Sequence, residues 1–243
     1  MCTLAFALRP APGVVFAASG NRNEFLARPA SGPRLWPGGV LAPRDEQAGG
    51  TWIGLNARGL FACLTNRRGA NADRIRASRG LLVEDALRAS DARELRERMA
   101  RVPGDRHNGF HLVWADTREA HVAICDGQRI EVRELPAGEL HVVTERSYGA
   151  GEGVREGEVL RECAPLFAAP SVSAAALRPP MQRHGPTPLE GACVHADELG
   201  YGTRSSLQLV LREGGACELL WTDGHPCTEP LLDLSRLGSD LLR

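Results

Sequence analysis

The residue richest in chemistry in this chain is its second. Cys2 follows a leading methionine, and methionine is removed when the next residue is small. Removal leaves a thiol and a free α-amine on one residue. In model peptides the amine titrates at about 7.7–8.0 and the thiol at about 8.5. The amine then serves as general base for its own side chain at neutral pH. The competing reading is a small hydrophobe that opens a strand. The other six cysteines, at 63, 125, 163, 193, 217 and 227, form no Cys-x-x-Cys pair, so zinc-ribbon and thioredoxin-like motifs are absent. His107 and His111 have the spacing of two ligands on a helix, but Asn108-Gly109 between them reads as a turn. No resident metal or cofactor is expected. The run Gly149-Ala150-Gly151-Glu152-Gly153 lacks dinucleotide-binding spacing and reads as a plain loop. There is no Gly-x-Ser-x-Gly elbow and no Walker A loop.

These groups need a scaffold, and the chain is long enough to build one. Its 243 residues with 43% hydrophobic and 24% charged content have ordinary globular composition. The 29 basic residues, all arginine, nearly balance 30 acidic ones, for a net charge of −1. No global basic field draws nucleic acid, and 5% aromatics argues against base stacking. The apolar start lacks a positive leader, and Arg9-Pro10 interrupts it, so it reads as neither signal peptide nor membrane span. Scattered cysteines suit a reducing compartment, and the expected location is the cytoplasm. With no repeat and no clean linker, residues 1–243 are read as one domain.

The element order follows from apolar patterning. Segments 2–8 and 14–18 read as a buried hairpin across Pro10-Ala11-Pro12-Gly13. Residues 20–44, rich in Pro and Gly, read as a long loop. Segments 51–56 and 60–65 form a second hairpin, with Gly59 at its turn. Helical periodicity covers 78–88 and 91–102, with Asp91 and Glu94 as a capping-box-like start. Segments 111–114, 121–125, 130–135 and 140–144 read as a four-strand meander. Residues 154–167 read as a helix that Pro165 ends or kinks. Segment 169–190 reads as irregular, and 206–212 with 217–221 as a last hairpin. Hairpin-linked strands give largely antiparallel sheets, and strands apolar on both sides call for two stacked sheets between helical layers.

Several motifs resemble one family. Asn21-Arg22-Asn23-Glu24 with Arg28-Pro29 resembles the Asn-Arg-Asp-Glu signature of the NRDE family, the transport and Golgi organisation 2 proteins. Ala48-Gly49-Gly50-Thr51-Trp52-Ile53-Gly54, Leu64-Thr65-Asn66, Ser78-Arg79-Gly80, Asn108-Gly109-Phe110 and Tyr201-Gly202-Thr203-Arg204-Ser205-Ser206 resemble later blocks, in order, over nearly the whole chain. The resemblance implies an α+β fold, the four-layer αββα sandwich of the N-terminal-nucleophile hydrolases. It also implies kinship with conjugated-bile-acid and penicillin V amidases, which begin Met-Cys. By resemblance Cys2 is the nucleophile, Asn66 an oxyanion donor and Arg204 a late arginine near the nucleophile. An oxyanion needs fixed neutral or cationic donors, each contributing about 2.7–4 kcal/mol.

Two positions depart from the family pattern. Asn23 stands where aspartate is usual and supplies a hydrogen bond without a charge. Val143-Thr144-Glu145 stands where Leu-Ser-Asn is common, and a free Glu145 carboxylate would oppose an oxyanion. Arg22 and Glu24 either pin the loop or meet a ligand. Trp52 is core or pocket wall.

Two functions stay open. One is a cysteine N-terminal hydrolase of a small non-peptide C–N amide. The other is a non-catalytic handler of a hydrophobic ligand, for which the resemblance brings haem trafficking and lipid homeostasis, with haem as a ligand. Fold does not choose between them. The expected partner is a small amide or hydrophobic ligand, with no nucleic acid and no membrane span.

Overall fold

The computed structural model describes residues 2–69, 73–151 and 153–243. In chain order the elements begin with β1 (Thr3–Leu8), β2 (Val14–Phe25), β3 (Ala30–Trp36), β4 (Val40–Asp45), β5 (Ile53–Asn56) and β6 (Phe61–Asn66). Then come α1 (Arg79–Ala86), α2 (Ala92–Met99), β7 (Phe110–Ala115), β8 (Ala120–Cys125), β9 (Ile130–Leu135), β10 (His141–Thr144) and α3 (Val154–Phe167). The chain finishes with β11 (His195–Ala196), β12 (Tyr201–Arg212), β13 (Cys217–Asp223), β14 (Leu232–Asp233) and α4 (Ser235–Leu241).

Two antiparallel sheets stack face to face. The first runs β10-β1-β2-β12-β13-β14, with β11 on β12, and the second runs β3-β4-β5-β6-β7-β8-β9. Alternation along each strand sorts side chains into three layers of core. Leu4, Phe6 and Leu8 of β1 meet Phe61, Cys63 and Val113 of the opposite sheet. Phe16 and Phe61 touch across the gap, ring centroids 4.8 Å apart. Each such ring contributes roughly 1.5–3 kcal/mol by leaving water. On the outer face of the first sheet, Ala5, Ala7 and Ala17 lie under Val159, Cys163 and Phe167 of α3, small residues that let the helix approach closely. On the outer face of the second, Ala62 and Leu64 lie under Val83 of α1 and Leu95 and Met99 of α2. The result is the αββα sandwich expected from the sequence.

Two expectations are corrected. Residues 20–44 are not a long loop: β2 continues to Phe25, and β3 and β4 follow. The breakers are tolerated for local reasons. Pro33 lies on an edge strand, at a register shift between Ser31 and Arg34. Gly20 is required, because a Cβ there would stand 2.8 Å from the Thr3 carbonyl oxygen. The meander has three strands, because β10 crosses to pair with β1. α3 has the bounds read from the sequence, Val154–Phe167, with Pro165 in its last turn. The cap expected at α2 is present: the Asp91 carboxylate accepts from the Glu94 amide at 2.8 Å. In the glycine run, Glu152 lies outside the described residues.

Candidate active site

Register brings Cys2 to the mouth of the cleft between the sheets. Thr3 pairs with Asn21 on β2, so the next pair outward sets Cys2 beside Arg22. Cys2 shares parity with Leu4, whose side chain faces the inter-sheet core. A narrow cleft of about 290 Å³, its open mouth included, is lined by Cys2, Arg22, Trp52, Ile53, Leu207 and Trp221 among others. Its floor is apolar and its rim is charged.

The rim is built by Arg22. Its side chain is 5% exposed and sits 3.4 Å from Asp45 Oδ2 and 4.0 Å from Glu24 Oε2. Its guanidinium lies over the Trp52 ring, 4.1 Å from the centroid, a cation–π contact strengthened by burial. Asp45 also accepts from Arg28 Nε at 2.8 Å and from the amides of Gln47 and Ala48. Burial pushes the Asp45 carboxyl up, but the Ala48 amide and the Arg28 guanidinium outweigh it and hold the carboxyl below its usual range. Burial pulls the Arg22 guanidinium down, opposed by the neighbouring Cys2, Glu24 and Asp45. Arg79 is shifted the same way, by burial first and against Cys2 second. Arg22, buried, and Arg79, partly buried, thus stand near Cys2.

Arg79 reaches this position through a glycine contact. The Thr51 amide donates to the Gly80 carbonyl at 3.1 Å. Gly50 has φ +73°, and a Cβ on it would stand 2.4 Å from the Gly80 backbone. Only glycine lets the loop before Trp52 close on the start of α1. The Gly49-Gly50 and Arg79-Gly80 blocks are thus one joint that sets Trp52 beside the start of α1.

Of the residues singled out in the sequence, Cys2, Arg22 and Trp52 share the cleft. The others lie outside its lining. Asn66 ends β6 in an exposed position, with the parity of Ala62 and Leu64, which pack under the helices. Its neighbour Thr65 faces inward instead, with Oγ1 3.2 Å from His111 Nδ1. Asn23 Oδ1 accepts from Thr203 Oγ1 at 2.7 Å. Glu145 is buried and paired with Arg155 at 2.9 Å, so its charge is met on the α3 side. Arg204 occupies the register shift between Thr203 and Ser205, and Ser205 takes the place in the lining. Arg204 Nε is buried with no hydrogen-bond partner among the described residues.

The sequence reading missed Trp221 as a wall of the cleft. Trp221 Nε1 and Arg22 Nη1 are buried donors without hydrogen-bond partners among the described residues, and both residues line the cleft. Such donors await an acceptor. The alternation Leu219, Trp221 showed an inward face, but nothing local said which end of the sandwich that face reaches.

Arrangement and comparison agree on the fold. The fold is that of the N-terminal-nucleophile hydrolases. A C2A mutant of conjugated bile acid hydrolase from Clostridium perfringens superposes with TM-score 0.59 at 12% identity, over 97% of this chain and 93% of that one. A Caenorhabditis elegans N-acylethanolamine-hydrolyzing acid amidase ortholog gives TM-score 0.64 at 12% identity, over 88% of this chain and 93% of that one. By sequence, the chain belongs to the Transport and Golgi organisation 2 family, whose model matches residues 1–220. It is 30% identical to the human Transport and Golgi organization protein 2 homolog over 170 residues, 64% of this chain and 58% of that protein. It is 35% identical to the Bos taurus homolog over 128 residues, 48% of this chain and 45% of that protein. The matches thus span about half the length of these relatives.

Proposed function

We propose that this chain is a cysteine N-terminal-nucleophile hydrolase of small non-peptide amides. The observation that carries the reading is the meeting of Cys2 with Arg22 and Trp52 in one inter-sheet cleft. Two structural neighbours are named as hydrolases of conjugated bile acids and N-acylethanolamines, and they lend the amide class as support.

On this reading, loss of Met1 frees the α-amine of Cys2. The amine takes the thiol proton, and Sγ attacks the amide carbonyl carbon. The unpartnered donors Arg22 Nη1 and Trp221 Nε1 meet the developing oxyanion. The C–N bond then breaks, with the proton passing from the amine to the leaving nitrogen. Water attacks the thioester and restores the thiol. The acyl group lies along Leu4, Ile53 and Leu207, so an apolar acyl chain is favoured. Asn66 and Arg204, which the family resemblance offers for the site, join it only if their strand ends shift toward the cleft.

One observation favours the other reading, a non-catalytic handler of haem or lipid. Asn23 brings no carboxylate to steady the amine, and its Oδ1 is engaged by Thr203. Intact mass after incubation with N-acyl amides of graded chain length separates the two. A thioester adduct on Cys2 with turnover supports the hydrolase. Binding of porphyrin or lipid without any adduct overturns it.

A further inference from the structure

Away from the Cys2 cleft, four soft donor side chains converge. The ligand atoms of His184, Cys193, His195 and Cys227 all lie within 4.8 Å of one another. Cys193 Sγ and Cys227 Sγ are 3.6 Å apart, and His195 Nε2 is 3.1 Å from Cys227 Sγ. The His184 and His195 rings stack with centroids 4.8 Å apart. None of the four lines the Cys2 cleft.

The donors come from three separate segments, and backbone bonds hold those segments in place. The Cys193 amide donates to the Arg183 carbonyl at 2.9 Å. The Val194 amide donates to Thr203 Oγ1, and the Thr203 amide donates back to the Val194 carbonyl. Gln182 Nε2 and Arg178 Nη2 both donate to the Pro226 carbonyl, next to Cys227. The cluster is therefore preorganised by bonds that do not use the four side chains.

We propose that these four residues form a Cys2His2 site for a zinc ion. A tetrahedral ion with Zn–S bonds of about 2.3 Å separates two thiolates by about 3.8 Å, close to the observed spacing. That spacing is far beyond the roughly 2.05 Å of a disulfide. Two thiolates and two imidazoles suit zinc, whereas magnesium and calcium demand oxygen ligands. The charges also balance. Two thiol protons leave to solvent as the ion binds, and the dication with two thiolates adds no net charge to the fold. His225 stacks on His195 with centroids 3.8 Å apart and lies 3.6 Å from Asp197, which fixes the plane of the ligand ring from behind.

Four protein ligands leave no open coordination position, so the ion is structural. It staples the wall behind the catalytic strand. Asn21 Nδ2 donates to the Met181 and Ala192 carbonyls of the same excursion, and Thr203 bonds Asn23. Both asparagines flank Arg22 on β2.

Cobalt(II) titration of the reduced, metal-stripped full chain tests the site. The expected result is a thiolate-to-cobalt charge-transfer band with tetrahedral d–d bands. The signal saturates at a single equivalent and is displaced by zinc. Cys227→Ser should lose the charge-transfer intensity of one thiolate. His184→Ala, at an exposed position, should keep the fold by circular dichroism and lose tight binding. His225→Ala should weaken binding by about 10–100-fold. An octahedral spectrum, or an unchanged spectrum in Cys227→Ser, overturns the site. So does a Cys193–Cys227 disulfide that forms in air equally fast with and without zinc. The wild-type titration stands alone if a variant fails to fold.

Discussion

Arg22 shows how one side chain joins fold and chemistry. It is buried against Trp52 and bonded toward Asp45, yet Nη1 has no hydrogen-bond partner among the described residues. If that donor meets the oxyanion, Arg22→Leu should lower the rate of Cys2 acylation by about 10²–10³-fold. Asp45 retains Arg28 in the variant, so the fold survives. Arg22→Lys should not restore the rate, because an ammonium neither stacks flat on Trp52 nor forks between two acceptors. Stopped-time mass spectrometry of the acyl adduct gives both numbers. A lysine variant acylated at the wild-type rate would remove Arg22 from this role. The pairing of Arg22 with carboxylates was legible in the Asn-Arg-Asn-Glu string. Its stacking on Trp52 was not, because thirty residues and two strands separate them in the chain.

Elements set these residues in place, and two joints can be tested. In Gly50→Ala, the added Cβ meets the Gly80 backbone and the residue keeps φ +73°. Denaturant unfolding should show a loss of about 1–3 kcal/mol, and Cys2 labelling should slow as Trp52 and Arg79 lose their joint. Unchanged stability would mean that the loop docks otherwise. The second joint is His111 of β7, fully buried with Nδ1 at Thr65 of β6. Burial lowers its pKa from 6.5 to about 4, with Arg67 adding to the effect. The folded state favours the neutral ring. Below about pH 6.5 the unfolded chain takes up a proton that the folded chain refuses until about pH 4. Stability should therefore fall as pH drops through that window, by roughly 3 kcal/mol at 1.4 kcal/mol per pKa unit. His111→Gln should flatten the slope, and equal slopes in both proteins would contradict the assignment. The strands read at 2–8, 51–56 and 60–65 were legible because their apolar runs are bounded by Pro, Gly and Asn. The second half of β2 and β3 were not, since Gly20 serves a close approach in the one and Pro33 sits at an edge bulge in the other, and both look like breakers in isolation.

At the scale of the whole molecule, the four layers followed from strands apolar on both faces, which need cover on each side. The order of strands did not follow, because β10 leaves the meander for β1 through long-range pairing that no local pattern encodes. The soft-donor cluster escaped notice for the same reason: its cysteines are 34 residues apart and meet only after β12 and β13 pair. Among the described residues no helix is long and apolar enough to cross a membrane. What the sandwich does is bring the first strand's start to the open end of the gap between the sheets. The central claim, that Cys2 acts through its own amine, is tested by comparing the methionine-processed chain with one carrying a retained N-terminal extension. Both are treated with one acylating amide probe, and Cys2 modification is followed by peptide mass mapping against pH. The account predicts rapid labelling of the processed chain, rising as the amine deprotonates at about 7.7–8.0, and none in the extended chain. The buried thiols of Cys63, Cys125 and Cys217 should stay slow in both. Equal labelling of Cys2 in the two proteins would contradict it.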